Sequence, residues 1–171
     1  MKHVLVAQGR IDTPLGPLTL ATTARGLALA WFDGQAHRTD EVDAPLQPGN
    51  DVLRQAEREF DEYFTGRRRA FGVPLDPAGT DFQQRVWQAL LKIPMGRLSS
   101  YGDIARELGL PAAARAVGAA VGRNPIAIIV PCHRVVGSDG SLTGYAAGLP
   151  RKQALLLHEA AAPFADLGAP A

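Results

Sequence analysis

The single cysteine of the chain, Cys132, stands beside His133 in the run Pro-Cys-His-Arg at 131–134. The thiolate is the nucleophilic form of cysteine, and a neighbouring histidine or cation lowers its pKa from the usual value of about 8.5. A histidine can also act as the general base that removes the thiol proton, directly or through one water. Most lone cysteines are small buried apolar residues. The local sequence nevertheless favours a nucleophile at Cys132.

The apolar residues that precede this motif predict a buried strand. Ile126 to Val130 form a short run rich in β-branched residues, which is the pattern of a strand buried on both faces. Pro131 has no N–H to donate to a ladder, so we expect the strand to end there. Neighbours in extended backbone point to opposite faces. We therefore expect a bridging water, rather than direct contact, between Cys132 and His133.

Composition excludes several classes of protein and site. The chain has 171 residues and is 46% hydrophobic, which is enough to build a packed core. No run approaches the length of a membrane span, and no signal-peptide pattern is present, so we predict no membrane partner. One cysteine permits no internal disulfide and fits the reducing cytoplasm. Four scattered histidines show no metal-ligand spacing, and we predict neither a metal nor a cofactor.

The first half of the chain alternates short apolar runs with turn signals between residues 4 and 32. This pattern predicts a small antiparallel sheet. The predicted strands cover residues 4–8, 17–22 and 27–32. Asn50 or Asp51 can cap a helix that Gly66 closes. A last strand is predicted over Phe71–Leu75.

The second half reads as helical. Thr80 and Gln83 form a capping-box pattern at the start of one helix, and Ser100 can cap the next. Further helices are predicted over residues 101–108, 111–121 and 151–162. The first two of these, joined by a turn that contains Gly109, are a candidate helix-turn-helix.

The change from strands to helices near residue 78 predicts an α+β chain in two domains. Residues 1–78 form an N-terminal sheet-plus-helix domain, and residues 79–163 form a helical, winged-helix-like domain with the helix-turn-helix; 164–171 are a tail. The first segment carries nine Lys or Arg against eleven Asp or Glu, and the second carries nine against five. A basic surplus in the half that holds Cys132 suits a phosphate backbone, although an ordinary solvated surface gives a similar count.

The predicted third helix is unusual because residues 112–120 are almost all small residues around one arginine, Arg115. Helices that read the major groove usually carry long polar side chains. A small-residue surface with one Arg suits close approach to a narrower groove and insertion of a single side chain. Close packing against another helix is the alternative explanation.

The sequence NPIAIIVPCHRV at 124–135 resembles the active-site signature of the O6-alkylguanine-DNA alkyltransferases, the methylated-DNA–protein-cysteine methyltransferases. Thr13–Leu20, Gly79–Ala105 and Gly144–Glu159 resemble other stretches of the same family. The resemblance covers nearly the whole chain except residues 33–50 and the tail. It implies direct repair of double-stranded DNA, in which Cys132 takes the alkyl group of a flipped O6-alkylguanine once per chain. O4-alkylthymine is a further candidate substrate, and we expect the protein to act as a monomer.

The resemblance also implies roles for individual residues. Glu159, predicted to face inward with Leu155, matches the glutamate that orients His133. Asn124 matches an asparagine that organises the active-site backbone. Arg115 matches the arginine that fills the gap left by the extruded base while its helix lies in the minor groove.

Other positions match the DNA-binding and pocket residues of the family. Tyr101 matches the tyrosine that helps to rotate the target nucleotide and contacts the flipped base. The remaining predicted DNA contacts are Ala116 and Gly118. The predicted pocket consists of Tyr101, Val135, Tyr145, Ala146 and Gly148. Some relatives have a serine where Ala146 stands, so a donor to the guanine oxygen must come from backbone N–H or from Tyr101. Some also hold a structural zinc through cysteines that this chain lacks.

Two other functions are compatible with parts of this pattern. A Cys-His hydrolase would use the same nucleophile and base, but no oxyanion hole is marked in the sequence. A helix-turn-helix regulator or damage sensor would bind and flip a base without transfer, and it would not need Cys132.

Overall fold

The computed structural model describes residues 3–37 and 41–160. Its first element is a three-stranded antiparallel sheet with the strands in chain order, β1 (Ala7–Ile11), β2 (Leu18–Thr22) and β3 (Leu27–Phe32). The second and third predicted strands are confirmed. The first predicted strand is present but displaced, because β1 begins three residues later than predicted and continues to Ile11. Its register pairs Ala7 with Thr22 and Ile11 with Leu18, which leaves Val4 exposed outside the sheet.

Helix α1 (Asp51–Phe64) packs its apolar face on this sheet. The Asn50 side chain caps it by accepting hydrogen bonds from two backbone N–H groups of the first turn. The strand predicted over Phe71–Leu75 is wrong, since only an isolated bridge joins Leu75 to β3. The N–H groups of Gly72 and Val73 donate instead to the buried Glu59 carboxylate at 2.7 and 3.1 Å, and are therefore not available to a ladder.

Helix α2 (Asp81–Leu91) begins with the predicted capping box between Thr80 and Gln83. Strand β4 (Ser99–Ser100) leads into helix α3 (Tyr101–Glu107), and helix α4 (Ala114–Gly122) follows. Helices α3 and α4 pack on each other and on α2, as the helix-turn-helix prediction requires. Helix α4 starts three residues later than predicted, because residues 110–113 close a turn in which the Ala113 N–H donates to the Leu110 carbonyl.

The strand predicted over Ile126–Val130 is wrong. These residues are all buried but form consecutive turns, with one bridge from Ile126 to β3. Ile128 has a φ of 73°, a left-handed conformation that no regular strand accommodates. A 3₁₀ helix (Cys132–Arg134) follows, and strand β5 (Val135–Val136) then pairs with β4 in parallel.

The chain is completed by helix α5 (Leu149–Ala160), which begins two residues before its predicted start. Residues 161 and 162, where that helix was predicted to end, and the predicted tail 164–171 lie outside the described residues. The predicted α+β fold is confirmed by a three-stranded sheet combined with helices. Buried apolar side chains from the sheet, α1, α2, α4 and α5 form one connected cluster. Within the described ranges, no helix has the length and apolarity needed to cross a membrane.

Candidate active site

One buried amide holds the turns that present Cys132. The Asn124 Nδ2 donates to the Val130 carbonyl at 2.8 Å and to Cys132 Sγ at 3.1 Å. Its Oδ1 accepts from the Ile126 N–H at 2.9 Å. The same side chain therefore closes the apolar loop and fixes the sulfur. These contacts place Asn124 where it can take the predicted role of organising this backbone.

Burial favours the protonated form of the Cys132 thiol. It is only 7% exposed, and burial raises its pKa. The hydrogen bond from Asn124, the charge of Lys152 and the nearby Tyr145 hydroxyl lower the pKa, but they do not cancel the effect of burial. A thiol whose pKa lies above its usual range needs a base before it can react at neutral pH.

The second part of the site is a buried carboxylate that binds the two residues following Cys132 in the sequence, His133 and Arg134. Glu159 on α5 lies 2.7 Å from His133, between Oε2 and Nε2. Arg134 donates to both of its oxygens, from Nε to Oε1 at 2.8 Å and from a terminal nitrogen to Oε2 at 3.0 Å. The other terminal nitrogen of Arg134 donates to the Ile93 carbonyl at 2.6 Å. All three charged or polar side chains are buried.

The electrostatics of this group favour a neutral imidazole beside an ionised carboxylate. Burial alone would raise the pKa of Glu159, but hydrogen bonds from His133 and Arg134 lower it to about 2. Burial lowers the pKa of His133, although Glu159 acts in the opposite direction. An ionised Glu159 can only accept, so Nε2 of the neutral ring carries the proton. The buried Nδ1 of His133 is then an acceptor, and it has no protein partner among the described residues.

A pocket of about 290 Å³ opens onto Cys132. The residues that line it are Ala36, His37, Tyr101, Gly118, Val121, Gly122, Cys132, Gly144, Tyr145 and Ala146. Of the predicted pocket residues, Tyr101, Tyr145 and Ala146 line it. Val135 and Gly148 are not part of the lining: Val135 is buried in β5, and Gly148, with a φ of 95°, turns the chain into α5.

Both halves of the chain match models of one protein family. The model described as the ribonuclease-like domain of 6-O-methylguanine DNA methyltransferase matches residues 6–77. The model described as the DNA binding domain of 6-O-methylguanine DNA methyltransferase matches residues 81–161. The methylated-DNA–protein-cysteine methyltransferase of Mycobacterium bovis is 50% identical over 163 residues, covering 92% of this chain and 94% of that protein. The chain belongs to the methylated-DNA–protein-cysteine methyltransferase family.

Solved structures of this family have the same fold. The crystal structure of Mycobacterium tuberculosis OGT in complex with DNA is 49% identical, with a TM-score of 0.85, and the match covers 95% of this chain and 99% of that one. An O6-methylguanine DNA methyltransferase from Methanococcus jannaschii is 27% identical, with a TM-score of 0.65 and coverage of 89% and 93%. The resemblance drawn from the sequence is confirmed, and with it the class of enzyme, a DNA repair methyltransferase with a DNA-binding domain.

Three of the residues predicted to contact DNA, Arg115, Ala116 and Gly118, lie on α4, and the fourth, Tyr101, is the first residue of α3. Arg115 and Ala116 are exposed and lie outside the pocket lining, while Val117 packs into the core. Gly118 lies beside the Tyr101 ring, and an added Cβ there would stand 3.7 Å from it. Helix α4 therefore buries one face and leaves a small-residue face with Arg115 open to solvent.

Sequence reasoning missed two buried polar residues of this site. The Lys152 Nζ donates to the carbonyls of Val135, Thr143 and Gly144 at 2.6, 2.9 and 3.3 Å, so it ties β5 to the pocket wall. Its helical spacing of three residues from the buried Leu155 could have indicated that it faces inward. The other is Tyr63 on α1, whose hydroxyl donates to Glu159 at 2.6 Å. Nothing in the local sequence of α1 indicates this partner.

The metal-binding side chains of the described residues are dispersed. Across residues 3–37 and 41–160, no group of three or more His, Cys, Asp or Glu side chains is arranged to hold a metal ion. Two of the described histidines take part in other interactions: His133 bonds to Glu159, and His158 bonds to the Tyr63 carbonyl at 2.7 Å.

Proposed function

We propose that the protein reverses O6-alkylguanine damage in double-stranded DNA by moving the alkyl group to Cys132. The observation that carries this proposal is a single buried thiol at a pocket, held by Asn124 and placed next in sequence to a histidine–carboxylate pair. The family supports the reaction class. O6-alkylguanine is the proposed substrate, and O4-alkylthymine is a substrate to be compared with it.

In the proposed reaction, Glu159 and His133 activate the thiol through a water molecule. Glu159 stays ionised at neutral pH because its pKa is about 2, and it holds the Nε2–H of His133. The Nδ1 of His133 is the acceptor for the thiol proton, relayed by water. Sulfur then attacks the alkyl carbon. A C–S bond forms, the bond from that carbon to O6 breaks, and the proton lost by the thiol is balanced by the one gained by the departing guanine.

The size and position of the pocket support base flipping. An alkylated guanine within the stack cannot offer its alkyl carbon to a buried thiol, so the nucleotide must leave the duplex. Unstacking costs a few kcal/mol, less for a badly paired base. In this proposal Arg115 fills the gap that the flipped base leaves in the duplex, and Tyr101 helps to rotate the target nucleotide. The exposed small-residue face of α4, which carries Ala116, supports close approach of this helix to the minor groove.

The proposed DNA partner also fits the distribution of charge. Residues 79–163, which contain α4 and Cys132, carry nine basic against five acidic side chains. We propose that residues 1–78 and 79–163 are separate domains, which the two family models at 6–77 and 81–161 support. We further propose that the protein acts as a monomer in the cytoplasm. Sedimentation of the protein without DNA would test the monomer, and a dimer at working concentration would contradict it.

The reaction is proposed to stop after one transfer per chain. Alkylated Cys132 is a thioether, and thiol exchange needs a disulfide sulfur to attack. The chain has no second cysteine that could take the group away. The protein is therefore consumed as a reagent rather than turning over.

The test is to titrate the protein with an excess of duplex oligonucleotide that contains O6-methylguanine. Mass spectrometry should find one added methylene on the Cys132 peptide, and repaired guanine should reach a plateau at one per active chain. The Cys132→Ala variant should transfer nothing yet still bind the duplex. Continued linear turnover would contradict the proposal and favour the hydrolase, while binding without any transfer by the wild type would favour the damage sensor.

A further inference from the structure

Tyr63 joins the N-terminal sheet-plus-helix segment to the centre of the active site. It lies near the end of α1 and is completely buried. Its hydroxyl donates to Glu159 Oε2 at 2.6 Å. The same oxygen lies 2.7 Å from His133 Nε2. The tyrosine and the histidine therefore share one carboxylate oxygen.

The Tyr63 hydroxyl is a fixed, uncharged donor. Burial and the negative charge of Glu159 raise its pKa well above the ordinary value, so the group stays protonated and donates. Its ring packs edge-on against His158, with ring centroids 4.9 Å apart. The Tyr63 carbonyl meets His158 Nε2 at 2.7 Å, and Phe71 packs on the ring at 5.5 Å. Both the backbone and the side chain of Tyr63 are thus held against α5.

We propose that Tyr63 is a positioning residue for the alkyl transfer, acting through Glu159 on His133. This inference rests on the proposed function of that pair. Arg134 restrains Glu159 with donors to both oxygens, and Tyr63 adds a further donor to Oε2. Together they fix the oxygen that selects the orientation and tautomer of the His133 ring.

The hydroxyl also adjusts the basicity of the imidazole. A carboxylate oxygen that shares its charge among three donors attracts the His133 proton less strongly than one with two donors. Tyr63→Phe should therefore raise the pKa of His133 and loosen its ring, so that less of the protein holds a neutral, correctly oriented base near neutral pH. Both effects slow thiol activation.

The experiment compares wild type with three variants, Tyr63→Phe, Glu159→Gln and Phe60→Leu. Phe60 is a buried neighbour on α1 that contacts Phe71, with ring centroids 5.3 Å apart, so its variant reports packing loss in α1 without removing the hydroxyl. Rates of Cys132 modification by iodoacetamide and of O6-methylguanine repair are measured from about pH 6 to about pH 9, where the thiol and imidazole titrate. Thermal unfolding of each variant gives the loss of stability.

Tyr63→Phe is expected to slow both reactions about tenfold at neutral pH, the size of one lost hydrogen bond to a charged group. Its rate profile should also shift to higher pH. Phe60→Leu should lower the melting temperature but keep the wild-type profile. The iodoacetamide reaction tests the role of Tyr63 independently of DNA. A protein that transfers no alkyl group from DNA would refute the proposed function, but the iodoacetamide rates would still decide the role of Tyr63.

Two results would overturn the inference and leave the proposed function standing. One is a Tyr63→Phe profile that coincides with that of wild type while Glu159→Gln changes it. The other is an equal slowing at every pH in Tyr63→Phe and Phe60→Leu, which would assign Tyr63 a packing role only.

Discussion

The substitution Glu159→Gln removes the charge around which the buried half of the site is built. Glutamine keeps the shape of the side chain and can still accept a hydrogen bond. It cannot neutralise the guanidinium of Arg134, which is buried and bonds to both oxygens of Glu159. The variant therefore leaves a buried cation without a counter-charge.

The loss of folding stability in Glu159→Gln can be estimated in two independent ways. Removing one partner of a buried ion pair costs about 3 to 5 kcal/mol. The pKa of Glu159 falls from an ordinary value of 4.5 to about 2 in the folded protein, and each unit of pKa corresponds to about 1.4 kcal/mol, so the ionised form contributes about 3 kcal/mol to folding. We expect Glu159→Gln to lower the free energy of unfolding at pH 7 by about 3 kcal/mol.

The pH dependence of this difference has a definite sign. The folded-state pKa of Glu159 is depressed, so its contribution is fully present above the unfolded value of 4.5 and is lost as pH falls through about 2. The part of the stability difference between wild type and Glu159→Gln that comes from the Glu159 carboxylate itself should be constant from neutral pH down to 4.5. It should then shrink as the pH falls toward about 2.

Urea unfolding of wild type and variant across this pH range measures the difference directly. Glu107→Gln is the matched control, because Glu107 pairs with Lys92 at 3.3 Å with side chains 46% and 72% exposed. An exposed pair of this kind contributes about 0 to 1 kcal/mol. A Glu159→Gln loss no larger than that of Glu107→Gln, or a difference that does not change with pH, would refute the buried-charge reasoning.

The same variant tests the thiol relay. Repair by Glu159→Gln should be slow at neutral pH, because His133 loses its orienting carboxylate. It should recover in part at higher pH, where the thiolate forms without help from a base. An unchanged pH–rate profile would remove Glu159 from the mechanism.

Two further predictions concern the thiol and the DNA. Asn124→Ala removes the hydrogen bonds that the Asn124 amide donates to Cys132 Sγ and the Val130 carbonyl, and the one that it accepts from the Ile126 N–H. The variant should lose about 2 to 4 kcal/mol of stability, and iodoacetamide should modify its thiol only at higher pH. Unaltered unfolding would contradict the structural role of Asn124. Arg115→Ala should slow repair of duplex DNA while the melting temperature is unchanged, since the side chain is exposed. Equal repair rates for wild type and Arg115→Ala would exclude insertion of Arg115.

The sequence determined those features whose partners are near in the chain. The caps at Asn50, Thr80 and Ser100 were predicted because each side chain bonds to an N–H within three residues. The proposed pairing of a nucleophile with a base is equally local, since Cys132 and His133 are adjacent. Helical spacing placed Glu159 on the inner face of α5, where it is buried.

Tertiary contacts decided the rest. The run at 126–130 has the composition of a strand, but Asn124 and the edge of β3 use its polar groups, so it folds into turns that local propensity does not predict. Tyr63 reaches Glu159 across 96 positions of the chain, and no periodicity in α1 identifies the partner of a buried hydroxyl. The position of a charge or donor in the folded protein depends on which helices pack together. That packing, rather than the Cys-His motif alone, sets the protonation state of each group around Cys132.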